Sequence, residues 1–381
     1  MRLLLLFLAL LIAAPLEAQR RKLSVINAET DEGKALQAIA TESDEAKKIA
    51  LMEEFLAKHG KHEAALYVLS QLQAAYAKAG AHDKVLQAAE KLLADDPLDV
   101  HAAFAGLKAA EAKKDPDLVL RWSARTAEVA KKAAEAPKPE DVEEDDWKRE
   151  LDFAKQVSAY TEYSLYATAL QATDPAKTMA LIEALEARNP NSQYMPQLAA
   201  RYVAAARQAN ATEKAVAFGE KMVAKGQSEP EILLFLADYY FQQKTRNPAK
   251  VVEYASKLVE VLPAKPKPEG VSEADWEKKK NTMLGTANWL LGMTAAAQNN
   301  HAQTDKYLRA ALPYIKGLPE LEGPAYFYLG LANYRLAQAS KNKARAVDAV
   351  NFSRQAAAIK GSHQAVAAKN VKVIAAEFGI R

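Results

Sequence analysis

An all-α fold built from repeated helix pairs is what this sequence predicts, on three observations. The composition favours helix. Ala, Leu, Lys, Glu and Gln dominate, with only 14 Gly and 16 Pro in 381 residues, and Ala and straight-chain residues lose little rotamer freedom in a helix. Apolar residues recur every three or four positions, and no sustained period-two alternation argues for strands. Residues 66–99 then form a self-contained unit of two helices and two stops. Leu69, Leu72 and Tyr76 line one face of a first helix, which Gly80 ends. His82, Val85, Ala89 and Leu92 line a second, which Pro97 stops. Small residues sit where the two helices must touch.

Looser copies of this pattern fill the chain. Residues 34–60 give an atypical first pair, with Ile49, Met52, Phe55 and Leu56 on one face. Residues 100–136 carry Phe104 and Leu107, then Leu118, Trp122 and Val129. Residues 146–190 begin with a long helix bearing Phe153, Val157, Tyr160 and Leu165. Its partner bears Met179, Ile182 and Leu185. Pairs at 192–226 and 230–263 follow, the latter repeating the spacing through Leu233, Leu236, Ala237 and Tyr240, then Val251, Ala255 and Leu258. In the last two pairs Leu291-Gly292 and Leu329-Gly330 place Gly where a neighbouring helix must approach closely. His301, Thr304, Leu308 and Ala311 complete one pair. Ala349, Ser353 and Ala356 complete the other after an insertion beyond Ala337. A final helix near Gln364–Phe378 caps the array, as a stacked repeat requires. Prolines, among them Pro116, Pro175, Pro230, Pro248, Pro313, Pro319 and Pro324, are expected in turns or at first helical positions, because Pro cannot continue a helix.

A longer duplication overlies the pairs. The segment from Pro137 to Trp147 recurs, with the same spacing, from Pro266 to Trp276. Ser272 suits an N-cap with Asp275 three residues on. Val271 and Trp276 then suit a hydrophobic staple, and Val142, Glu143 and Trp147 repeat the arrangement. These tryptophans are therefore expected to be structural.

Residues 66–99 and the last two pairs resemble tetratricopeptide repeats, and the whole chain resembles exported bacterial tetratricopeptide proteins of unknown function. The resemblance implies a right-handed α-solenoid of about seven to eight helix pairs with a C-terminal capping helix. It would comprise an extension at 19–33 and blocks at 34–136, 137–265 and 266–381. It also implies a concave groove lined by first-helix residues. The family register selects Tyr67, Lys78, Tyr160, Tyr163, Asp238, Phe241, Gln242, Trp289, Met293, Phe327, Tyr334 and Arg335, with Trp289, Phe327, Tyr334 and Arg335 expected to dominate. The basic clamp that some family members use for acidic C-terminal peptides is absent, since Ser70, Ala74, Phe327 and Leu331 stand at its places.

The chain begins with Arg2, the apolar run Leu3–Ala14 and a small residue at Ala18, the layout of a secretory signal. The run is about 12 residues, short of the roughly 20 that span a bilayer. Cleavage between Ala18 and Gln19 is expected, with residues 1–18 removed and a periplasmic or extracellular destination. No other segment is apolar enough to cross a membrane. With no cysteine, disulfides, thiolate metal sites and a Cys nucleophile are excluded. A net charge of +3, from 51 basic and 48 acidic residues interleaved along the chain, offers no concentrated basic face for nucleic acid.

No phosphate loop, nucleophile elbow or HExxH motif is present. His59, His62, His82, His101, His301 and His363 lack a completing carboxylate set. No catalytic residue, metal or cofactor is expected. Two functions follow. One is a non-enzymatic exported scaffold that binds a protein or peptide segment. The other is an envelope-polysaccharide or cell-wall factor using an aromatic groove, with a glycan as ligand.

Overall fold

The computed structural model describes residues 27–140, 142–243 and 247–380. The expected signal segment and its cleavage point at Ala18 and Gln19 lie outside them. The described residues hold α-helices, one 3-10 turn and no strand. The chain divides into two compact units, residues 1–198 and 199–381.

In unit 1 the helices are α1 (Asp31–Thr41), α2 (Glu45–His59), α3 (Ala65–Lys78), α4 (His82–Asp95), α5 (Val100–Ala112), α6 (Pro116–Glu135), α7 (Glu144–Gln171) and α8 (Pro175–Arg188). The unit boundary falls within α9 (Met195–Gln208). Unit 2 continues with α10 (Thr212–Ala224), α11 (Pro230–Gln242), α12 (Pro248–Val261), α13 (Glu273–Ala297), α14 (His301–Ile315), α15 (Pro319–Ser340), α16 (Lys343–Ala358) and α17 (Gln364–Phe378). The final helix takes the span the periodicity predicts.

Helix starts follow local chemistry. The side chains of Asp44, Asp99, Asp115, Asp174, Asn247, Ser272, Asn300 and Asn342 each accept a hydrogen bond from a backbone N–H of the first turn. That bond satisfies a donor the helix cannot satisfy itself. Pro116, Pro175, Pro230, Pro248 and Pro319 stand at first positions. Pro313 and Pro324 do not. They lie inside α14 and α15, so proline fails there as a boundary marker. Pro313 is tolerated near the C-terminal end, where the helix is about to stop. Pro324 leaves the Glu320 carbonyl without its helical donor.

Apolar stripes meet in the core. Val68, Leu72, Val85, Leu92, Leu107 and Trp122 are buried in unit 1, and Leu236, Tyr254, Leu258, Leu291, Leu308 and Leu329 in unit 2. Within each unit successive pairs pack together, as α4 does on α5 and α14 on α15, and first helices also touch the next first helix: α3 with α5, α5 with α7, α11 with α13 and α13 with α15. The Leu-Gly positions work as close-approach points. A Cβ added at Gly292 would lie 2.5 Å from the Leu308 side chain. The expected insertion after Ala337 falls at the end of one helix and the start of the next. It lengthens α15 to Ser340, and α16 starts at Lys343 after a short turn.

The duplicated segment builds the same turn twice. Val142 N–H donates to the Pro139 carbonyl and Val271 N–H to that of Pro268, each at 3.3 Å. Lys138 Nζ reaches the Val142 carbonyl at 2.6 Å and Lys267 Nζ that of Val271 at 2.7 Å. Trp147 is 7% exposed and Trp276 5%. The caps differ. The Asp275 N–H donates to Ser272 Oγ at 3.1 Å, whereas Glu143 makes no side-chain cap bond.

Candidate functional site

Unit 1 holds a cavity of about 460 Å³ between α5, the start of α6 and the C-terminal half of α7. Its shape follows from helix register. Phe104, Lys108 and Glu111 recur at four- and three-residue steps on α5, so they share one face. Tyr160, Tyr163, Ser164, Ala167, Thr168 and Gln171 do the same on α7. Val119 of α6 forms part of the wall. The rings are tilted against one another. Phe104 meets Tyr160 at 87°, with centroids 5.3 Å apart, and Tyr160 meets Tyr163 at 52° and 5.7 Å.

One rim carries a closed polar triad. Lys108 Nζ donates to Glu111 Oε2 at 2.6 Å and to the Tyr160 hydroxyl at 2.7 Å, and that hydroxyl donates to Glu111 Oε2 at 3.0 Å. Lys108 Nζ also sits 4.8 Å from the Tyr160 ring centre. Burial, with the Glu111 carboxylate beside it, pushes the Tyr160 phenol well above its ordinary range. The phenol therefore stays protonated and serves as a donor.

The wall contains one buried polar side-chain atom with no partner. Ser164 is 1% exposed, and its hydroxyl makes no hydrogen bond. A buried hydroxyl left unpaired is unfavourable by about 1–3 kcal/mol.

The cavity belongs to a longer aromatic row within unit 1. His101 stacks on Phe153 at 4.2 Å, and Phe153 meets Phe104 at 6.0 Å. Beyond Tyr163 the row continues through Tyr166 and Tyr194, which stack at 4.7 Å. The Tyr166 hydroxyl donates to Gln197. Burial raises the Tyr166 and Tyr194 phenols as well.

Of the residues the sequence register selects for a groove, Tyr160 and Tyr163 line the cavity. That register missed Phe104, Lys108, Glu111 and Ser164. The three α5 residues were legible as one helix face, but nothing in the sequence said that this face looks at α7. Tyr67 is half-buried on α3, and Lys78 is exposed near Glu45 at 4.0 Å.

In unit 2 the selected residues are held by neighbours within that unit. Gln242 Nε2 donates to Asp238 at 2.7 Å. Phe241 meets the Trp289 ring at 5.5 Å, and Trp289 Nε1 donates to the Leu321 carbonyl at 3.0 Å. Met293 and Trp289 pack on the Leu308–Leu329 core. Phe327 stacks on His363 at 4.5 Å, the Tyr334 hydroxyl donates to Glu377, and Arg335 donates to Gln338 at 3.2 Å. Their polar atoms are engaged by the chain itself. Among the described residues no group of three or more His, Asp or Glu is placed to hold a metal, and no helix is long and apolar enough to cross a membrane.

No family model matches the chain, and no curated protein is significantly similar to it. Among solved structures it is similar to the crystal structure of the P58(IPK) TPR domain. The identity is 9% over 92% of this chain and 100% of that one, with a TM-score of 0.26. At so low a score the description of the fold stands on the helices themselves.

Proposed function

We propose that this chain is a non-enzymatic scaffold that binds an extended protein segment on the face carried by its first helices, and that it works after export from the cytoplasm. The observation that carries the binding reading is the aromatic-walled cavity between α5 and α7. Its volume lies within the roughly 300–1,000 Å³ of ligand pockets. Rigid aromatic walls with few polar groups are what a side-chain anchor uses. The tilted rings favour a peptide over a glycan, because they make walls and not a flat stacking platform. Export is supported by the Arg2, Leu3–Ala14 and Ala18 layout alone.

Immobilised protein, probed with an array of extended peptides and an array of glycans, tests the binding reading. Saturable peptide capture, reduced by Tyr163→Ala, is expected. Capture of glycans without peptides overturns it. Mass spectrometry of the secreted or periplasmic protein should find Gln19 at the N-terminus. An intact Met1 on cytoplasmic protein overturns export.

A further inference from the structure

We infer that the unit 1 cavity is an acceptor for one aromatic side chain with a hydrogen-bonding tip, a Tyr or Trp presented by an extended peptide. The inference rests on the scaffold reading above and narrows it to a ligand chemistry.

Size comes first. A cavity of about 460 Å³ is about three times the roughly 150 Å³ apolar void that stays dry and takes up benzene. An aromatic side chain and the atoms that attach it therefore have room. The walls match such a guest. Phe104, Tyr160 and Tyr163 present rings tilted by 52° to 87°, and aromatic pairs favour offset and edge-to-face arrangements. Val119 and Ala167 complete the apolar lining.

Charge selects next. Lys108 and Glu111 cancel each other and share the Tyr160 hydroxyl within 3.0 Å. A charged guest would have to break this closed triad, and Lys114, the other charge in the lining, is exposed to solvent, so a neutral guest fits better. The polar preference is set by Ser164. Its hydroxyl is buried and unpaired, on a residue that lines the cavity beside Ala167 and Thr168. Rotation about χ1 among its staggered positions lets it accept from an indole N–H or pair with a phenol O–H. A guest with such a tip satisfies the one buried polar group the fold leaves unsatisfied there. Leu, Ile or Phe would leave it unsatisfied.

A second cavity does not share this logic. In unit 2, the space beside Tyr239 and Tyr240 is bordered by hydroxyls already donated to Glu213 and Glu220.

The test uses the full processed chain and four probes: p-cresol, indole, toluene and N-acetylglucosamine, each titrated by ligand-observed NMR. Saturable binding of p-cresol and indole is expected, with toluene several-fold weaker and the sugar silent. Ser164→Ala should weaken p-cresol by roughly three- to tenfold, the worth of one hydrogen bond, and bring it level with toluene. The same substitution should leave the melting temperature unchanged or higher, because it removes an unpaired buried hydroxyl. Ala167→Leu, which fills the cavity with an aliphatic group, should abolish binding of both while the protein stays helical. Should Ala167→Leu misfold, Ser164→Ala alone decides.

Equal binding of toluene and p-cresol, or p-cresol binding indifferent to both substitutions, overturns the inference. If peptides are captured while the fragments fail, only this inference falls. If the fragments bind but no peptide is captured, the scaffold reading falls.

Discussion

Close approach between side chains sets what single positions tolerate. Gly106 on α5 faces the ring of Trp122, and an added Cβ would lie 2.3 Å from ring atom Cζ3. Trp122 is 0% exposed and cannot swing away. Gly106→Ala should therefore lower stability by about 1–3 kcal/mol through overpacking. Gly323 on α15 makes a different case. Apart from its chain neighbours, a Cβ there meets a methyl of Ile359 at 3.4 Å, an ordinary contact, but the residue precedes Pro324, whose Cδ opposes a Cβ in the helical conformation, so Gly323→Ala should lose the usual propensity gain and leave stability near the wild-type value. Paired urea melts check both expectations.

A second residue-scale expectation concerns alkali. Burial and the hydrogen bond to Glu220 push Tyr240 up to about 12. Burial alone would raise Glu220, but hydrogen bonds from Tyr240, Tyr254 and Lys250 outweigh it and hold the carboxyl below its usual range. A folded pKa above the unfolded value of about 10 means that the Tyr240 contribution is complete below about pH 10. It is lost as pH rises through about 12. The lowered Glu220 works in reverse: its contribution is present above about pH 4.3 and lost as pH falls. Urea melts between pH 9 and alkali should show a falling midpoint, and Tyr240→Phe should flatten that limb. An unchanged limb in the variant would show that the pair does not couple to folding.

At the scale of the helix, the spans were largely legible, and the exceptions are instructive. Caps such as Asp99, Asp174 and Ser272 and first-position prolines mark starts through chemistry that is local in sequence. Pro324 misled because its tolerance inside α15 depends on tertiary packing, with Ala325 and Leu329 buried beside it. Pro324→Ala should restore a donor to the Glu320 carbonyl and raise the melting temperature. A drop would mean that the packing requires the proline ring. Trp147 and Trp276, buried near the starts of α7 and α13, should each cost roughly 3 kcal/mol or more when replaced by Ala. Peptide capture by the still-folded variants should persist. The candidate site was half legible for the same kind of reason. Periodicity shows that Tyr160 and Tyr163 share a face, and separately that Phe104 and Lys108 do. Only packing shows that the two faces enclose one space.

At the scale of the molecule, each of the two units shows the same pattern among its described residues: substantial helix contacts run to the next helix or the next but one. Stability in such an array is close to a sum of local contributions. Removing α17 should therefore uncover Ala346 and Val350, which pack against Ile374, and loosen α15 and α16. Amide exchange in α3 to α6 should stay as it was. Faster exchange throughout would show a longer cooperative reach than these contacts supply.

The neighbour-only contact pattern also bears on behaviour under load. A protein pulled from its two ends breaks wherever the bonds along the pulling direction are weakest, and here, among the described residues of each unit, no strand locks one helix pair to another far along the chain, and the sequence has no cysteine to do so. The helix pairs run from 29 residues (Asp31–His59) to 45 (Glu144–Arg188), so each would release roughly 100–150 Å of contour at about 3.3 Å per residue. A single-molecule trace should accordingly climb in small, unequal steps at low force and retrace them on relaxation. That is the signature of an extensible spring.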